Sequence, residues 1–191
     1  MKIEVIDYDS NWIVQFQKLK KKFINHLSPF ILSIEHVGST SVPGLSAKSV
    51  LDIDIIIEDN AETERKVIKK LAEIGYRYLG DLGISGREAF TRRDDYTPKD
   101  GSGRTWQKHN LYLCRLDSLG LRNHLAFRNF LRENPDQSRV YGELKKNLAN
   151  KFSHDIDAYI DGKTDFIVNI LKLAGISEQD RKMISTENKL K

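Results

Sequence analysis

Asp52 and Asp54 stand two residues apart in the run Leu51-Asp52-Ile53-Asp54-Ile55-Ile56-Ile57. Alternate residues of a strand share a face, so both carboxylates point one way while Leu51, Ile53, Ile55 and Ile57 point the other. A strand this apolar belongs in a sheet interior, where unpaired carboxylates are costly. A divalent cation is the most economical compensation, which makes Asp52 and Asp54 candidate metal ligands, with Mg²⁺ as the expected ion. Alternate positions lie roughly 6–7 Å apart along the backbone, a gap that two side chains can close onto a shared ion. Just upstream, Gly38-Ser39-Thr40-Ser41 forms a turn of small residues that lets backbone N–H groups approach a phosphate. A metal beside such a turn can bridge a triphosphate, orient an attacking oxygen and offset charge on a leaving pyrophosphate. Gly38 and Ser39 are therefore candidate phosphate ligands. Ser41 either donates to a phosphate oxygen or fixes the turn. Lys48, just ahead of the acidic strand, is either a point charge for a triphosphate or a solvated loop lysine. Asp-x-Asp by itself also marks ordinary edge strands, so the weight falls on its placement after the turn and inside an apolar run.

The elements that must position these residues follow from periodicity. Trp12, Phe16, Leu19, Phe23 and Leu27 recur at helical spacing, predicting a helix over 10–27 with Asp9 or Ser10 as its cap. Lys18, Lys20, Lys21 and Lys22 fall on it as a solvated face. Residues 33–37 read as a short strand, 38–48 as a loop with a Pro43-Gly44 turn, and 49–57 as the clearest strand. An amphipathic helix over 61–74 ends at Gly75. Glycines 80, 83 and 86 punctuate a hairpin-like stretch, 94–104 is a polar loop expected to be mobile, and 108–116 is a further strand. Three helices follow, over 118–132, 138–152 and 155–174, and polar residues from 176 to 191 form a tail. The expected fold is one α+β domain over 1–175. It has a small mixed sheet with packed helices over 1–116 and a helical half over 117–175.

Bulk composition narrows the classes. At 191 residues and 39% hydrophobic, the chain can build one real core. Its net charge of +4 suits an anionic ligand, but without a localised basic patch nucleic-acid binding is not expected. The single cysteine, Cys114, excludes an internal disulfide framework and fits a cytoplasmic setting. The N-terminus has no apolar leader, and no stretch approaches a membrane span. Zinc-type ligand spacing, a Walker loop and a Gly-x-Ser-x-Gly elbow are all missing from the sequence.

The stretch Glu35-His36-Val37-Gly38-Ser39-Thr40-Ser41-Val42-Pro43-Gly44-Leu45-Ser46-Ala47-Lys48-Ser49-Val50-Leu51-Asp52-Ile53 resembles the signature of the GrpB family. His124-Leu125-Ala126-Phe127-Arg128-Asn129-Phe130-Leu131-Arg132, Tyr141-Gly142-Glu143-Leu144-Lys145 and the segment 159–166 extend the likeness over nearly the whole chain. The resemblance implies a nucleotidyltransferase-like fold in which a Gly-Ser turn precedes a strand with two metal-binding acids. Gly38, Ser39, Asp52 and Asp54 match those positions. It also implies a nucleotide-related role, since GrpB-like domains occur fused to dephospho-coenzyme A kinase. The expected reaction is Mg²⁺-dependent transfer of a nucleoside monophosphate from an NTP to an unidentified small-molecule or macromolecular acceptor. The alternative is a non-catalytic nucleotide- or coenzyme-binding accessory module.

That alternative gains from one departure. Many active members of the wider superfamily carry a third acid on a later strand, and the equivalent here, Lys108-His109-Asn110-Leu111-Tyr112-Leu113, has none. His109 is the candidate general base in its place, with Glu88 a carboxylate of unknown register. His36 reads as a buried, hydrogen-bonded histidine. His124, Arg128 and Arg132 share one helix face. They either meet an anionic substrate, with Arg128 as a ligand, or dock on the acidic sheet. Arg87, Arg92 and Arg93 are phosphate clamps or surface ion pairs. Lys145, Tyr159 and Lys163 face a cleft between sheet and helices, with Tyr159 also aligned with Phe166 and Ile170 on a core stripe.

Overall fold

The computed structural model describes residues 2–182. Its five-stranded mixed sheet has the order β1-β2-β5-β4-β3, built from β1 (Ser33–Val37), β2 (Leu51–Ile57), β3 (Tyr76–Gly80), β4 (Arg87–Arg92) and β5 (His109–Arg115). Only β2 and β5 run parallel; β1–β2, β5–β4 and β4–β3 are antiparallel. The helices are α1 (Asn11–Leu27), α2 (Ala61–Glu73), α3 (Leu119–Glu133), α4 (Pro135–Lys151), α5 (Ile156–Asp161) and α6 (Thr164–Leu173).

The alternation in β2 divides the molecule. Leu51, Ile53, Ile55 and Ile57 are all buried against Phe16, Leu19, Phe23 and Leu27 of α1 and Val67 and Leu71 of α2. That face carries the main core. The opposite face presents Asp52, Asp54 and Ile56, and α3 covers its far end through Leu121 packed on Ile56 and Cys114. Local chemistry starts each covering helix. Asp9 accepts the Asn11 N–H at 2.8 Å, Asn60 accepts from Glu62 and Thr63, and Ser118 accepts from Leu121.

Four sequence expectations change. Residues 155–174 are two helices, broken at Gly162 and Lys163. A Cβ on Gly162 would overlap Leu148, so α5 closes tightly on α4 and the chain restarts as α6. The break separates the expected stripe: Tyr159 packs with Ile3 and Ala149, whereas Ile170 and Phe166 join Tyr141 and Leu131. The helix expected over 138–152 starts earlier, at Pro135, because the first helical turn tolerates a missing N–H. The 94–104 loop is anchored. Thr97 is fully buried against Gly75, the Lys99 N–H donates to the Ile74 carbonyl, and the Trp106 indole donates to the Pro98 carbonyl. Finally, 178–182 is helical and Asp180 pairs with Arg122, while 183–191 of the expected tail lie outside the described residues.

Candidate functional site

The two acids share a face but not an environment. Asp52 lies between Val37 of β1 and Asn110 of β5, and Asp54 between Glu35 and Tyr112. Asp52 is half-buried at the mouth of a cleft, with one oxygen accepting from Asn110 Nδ2 at 2.8 Å. Loss of water raises its pKa, an effect that the Asn110 hydrogen bond opposes. Asp54 is fully buried beneath α3. Its Oδ2 lies 2.8 Å from His124 Nδ1, and its Oδ1 has no hydrogen-bond partner.

The turn is built against Asp52. Gly38 has φ +67°, and a Cβ there would overlap the Asp52 carboxylate, so only glycine allows this approach. The Ser41 hydroxyl donates to the Gly38 carbonyl at 2.6 Å and is buried, which makes Ser41 a residue that fixes the turn, not a phosphate ligand. Thr40 bonds His36 Nε2 at 3.0 Å, and Arg132 donates twice to the Ser41 carbonyl. Ser39 faces the cavity and shares a side-chain hydrogen bond with Tyr141.

The face shared by His124, Arg128 and Arg132 docks on the sheet. His124 takes Asp54, Arg132 takes the turn, and Arg128 donates to Glu35 at 2.6 Å and to the His36 carbonyl at 3.0 Å. Arg128 is therefore a clamp between α3 and β1. Its guanidinium is not presented to a ligand, which corrects the ligand role expected for it. Burial, with a smaller contribution from the Arg132 and Arg128 guanidiniums, pushes His36 down to about 4.

His109 is the larger correction. Its register partner is Leu51, not Asp52, so it lies on the opposite face of the sheet from the acids. Its ring packs among Phe23 and Tyr76, Nδ1 contacts the Gln107 carbonyl at 2.7 Å, and Nε2 contacts the Tyr76 hydroxyl. Burial drives its pKa down to about 4. Glu88 pairs in register with Leu113 and so shares that far face. Neither residue reaches Asp52. Arg87 is neither a clamp nor a surface ion pair: it is buried, stacked over Tyr112 at 4.5 Å, with Nε and Nη2 unpartnered.

A cavity of about 980 Å³ opens between the sheet and the helical half. Ser39, Asp52 and Asn110 form one wall, and Lys145, Tyr159 and Lys163 the other, with Lys48 beside them. Lys145 is only 2% exposed, its Nζ has no hydrogen-bond partner, and it lies over the Tyr141 ring at 4.5 Å. Burial, reinforced by Lys163, holds its pKa well below the usual lysine range. Lys163 sits over Tyr159 at 4.5 Å and is lowered to about 8, mainly by burial. Lys48 approaches the same ring at 5.4 Å and is lowered by burial too. Sequence reasoning placed Lys145 and Lys163 at this cleft but had no signal for the burial of Lys145.

As a metal site the arrangement is partial. Two carboxylates share a face, but only Asp52 lines the cavity; Asp54 Oδ1 is unpartnered and sealed beneath α3. Among the described residues, however, no group of three His, Cys, Asp or Glu side chains is placed to hold a metal. An ion here would need phosphate oxygens or water to complete its shell.

The sequence pattern defining the GrpB protein family matches residues 2–173, and the chain belongs to that family. It is similar to the solved GrpB structure from Enterococcus faecalis. That likeness has 35% identity and TM-score 0.75, and covers 90% of this chain and 96% of the other. It is 30% identical over 167 residues to the glutamate-rich protein GrpB of Alkalihalophilus pseudofirmus, covering 87% of this chain and 92% of that one. The UPF0157 protein YqkA of Bacillus subtilis is 32% identical over 166 residues, 87% of this chain, and the match spans only 45% of that longer protein. Among the described residues no helix is long and apolar enough to cross a membrane.

Proposed function

We propose that this chain binds a nucleoside triphosphate in the cavity beside Asp52 and transfers its nucleoside monophosphate moiety to an acceptor. The observation that carries the reading is the close approach of Gly38 to Asp52, which sets the Gly38–Ser39 turn against a half-buried acid beside a lysine-lined cavity. Asp52 is the group at the cavity that would hold Mg²⁺, which when bound would offset charge on the phosphates, while Asp54 stays paired with His124 beneath α3. Ser39 and the turn backbone hold phosphate oxygens, and Lys48 adds a point charge. Asn110 holds the Asp52 carboxylate in place. The acceptor oxygen bonds to the α-phosphorus and gives its proton to solvent water, the bond from that phosphorus to the bridging oxygen breaks, and pyrophosphate leaves. Titration calorimetry with ATP or GTP and Mg²⁺ tests the site. Asp52→Asn is expected to weaken binding at least tenfold, and equal binding by both proteins removes the assignment.

A second reading is a nucleotide- or coenzyme-binding module without chemistry. The pairing of Asp54 with His124, and the placement of Glu88 and His109 behind the sheet, favour it. Incubating the protein with α-labelled NTP and cell extract separates the two. Label recovered on an acceptor supports transfer, and tight binding with no transferred label supports the module.

A further inference from the structure

The described cavity wall carries five lysines (Lys2, Lys48, Lys108, Lys145 and Lys163) against two carboxylates, Glu4 and Asp52. This excess of cations is not a solvated surface. Lys145 is 2% exposed with an Nζ that makes no hydrogen bond, and its neighbours are an aromatic ring and another lysine. An isolated buried ammonium is among the costlier groups a fold can hold. Lys163 and Lys48 converge on the two-lysine edge of Tyr159 from α6's start and from the loop ahead of β2. Three chain segments thus bring like charges together where nothing described neutralises them fully, since Asp52 attracts all three but stands at the opposite wall.

We infer that Lys48, Lys145 and Lys163 form an oligophosphate-binding subsite that works without a metal ion. The inference rests on the proposed nucleotide site only for where the ligand's remainder lies. Ammonium groups from separate segments suit a flexible chain of phosphates, each lysine acting as a point charge with rotatable donors. The phosphates belong either to the NTP or to a phosphorylated acceptor held beside it, and the chemistry of capture is the same for both.

The test is calorimetric titration of the whole protein with sodium tripolyphosphate in EDTA at pH 7. Wild type is expected to bind, and Lys145→Met and Lys163→Met to bind at least tenfold more weakly while keeping the wild-type circular dichroism spectrum. Lys145→Met is also expected to melt no lower than wild type, because methionine fills similar space without a charge to desolvate. Asp52→Asn, which removes an opposing carboxylate, is expected to bind tripolyphosphate at least as tightly. Absence of binding by wild type in EDTA, or unchanged binding by both lysine variants, overturns the inference. Failure of the Mg²⁺-NTP titration alone leaves it standing and removes only the transfer reading. Competition with ATP identifies the source of the phosphates: displacement of tripolyphosphate assigns the lysines to the NTP, and simultaneous binding assigns them to an acceptor. Either result supports the subsite.

Discussion

Acidification from pH 7 to pH 5 should destabilise the protein through the two histidines that the fold keeps neutral. Both His109 and His36 are buried, and burial lowers each from 6.5 to about 4. Between those values the unfolded chain binds a proton at each ring and the folded chain does not, so stability rises with pH. The contribution is complete above 6.5 and is lost as pH falls through the window down to about 4. Each histidine contributes a slope of about 1.4 kcal/mol per pH unit inside that window. Moving to pH 5 therefore costs about 2 kcal/mol per ring, and about 4 kcal/mol for the pair. Urea denaturation at pH 7, 6 and 5 measures the slope. Comparison with His109→Gln isolates one ring from the carboxylates that titrate lower. Ring-proton NMR titration reads each pKa directly. The variant should lose about half of the histidine slope. A His109 ring that titrates near 6.5, together with an unchanged slope in His109→Gln, would refute the placement. The imidazole would then be in water and again eligible as a proton acceptor.

Two further predictions concern the turn. Gly38→Ala should destabilise by about 1–2 kcal/mol for its left-handed backbone and, by displacing the Asp52 carboxylate, abolish detectable Mg²⁺-NTP binding. Gly44→Ala, at φ +80° with open space around it, should show a similar stability loss with binding intact. Arg128→Met should cost roughly 2 kcal/mol by breaking a largely buried clamp on Glu35 and the His36 carbonyl. A double-mutant cycle with Glu35→Gln checks that this loss is coupling across the pair.

The fold was legible where a period survives in one segment. The alternation through β2 separated the greasy face from the acidic one, and the stripe from Trp12 to Leu27 marked α1. It was illegible where the answer lies in another segment. His109 and Asn110 are adjacent in sequence, and only the parallel register with β2 decides which one meets Asp52. A slip of one residue would exchange them, and nothing within 108–116 forbids that slip. Gly162 reads as a tolerable glycine in a helical run until Leu148 of α4 is seen filling the space of its missing side chain. Lys145 follows the helical spacing of Tyr141 and Ala149, yet lysine is so seldom buried that the pattern carried no hint of its depth. The turn is different: it lies close along the chain to Asp52, and Gly38 packs directly against that carboxylate.

The structure also divides an acidic pair that the sequence could treat only as a unit. Asp54 lies under α3, where the His124 imidazole takes one oxygen and bulk water reaches neither. Asp52, two residues nearer the open end of the strand, meets the turn, Asn110 and the cavity. A carboxylate in the first position stabilises the docking of α3 on the sheet, because removing either partner leaves a buried polar group unpaired. A carboxylate in the second can exchange partners with a ligand, because its competing interactions are one amide and distant lysines. One strand face thus runs from a sealed acid to an accessible one, with lysines across the cleft. Under the proposed reading, a charged ligand entering that cleft would lower the repulsion among the lysines and leave the Asp54–His124 pair undisturbed. Binding and fold maintenance can therefore be altered separately, although their acids are neighbours on the same strand.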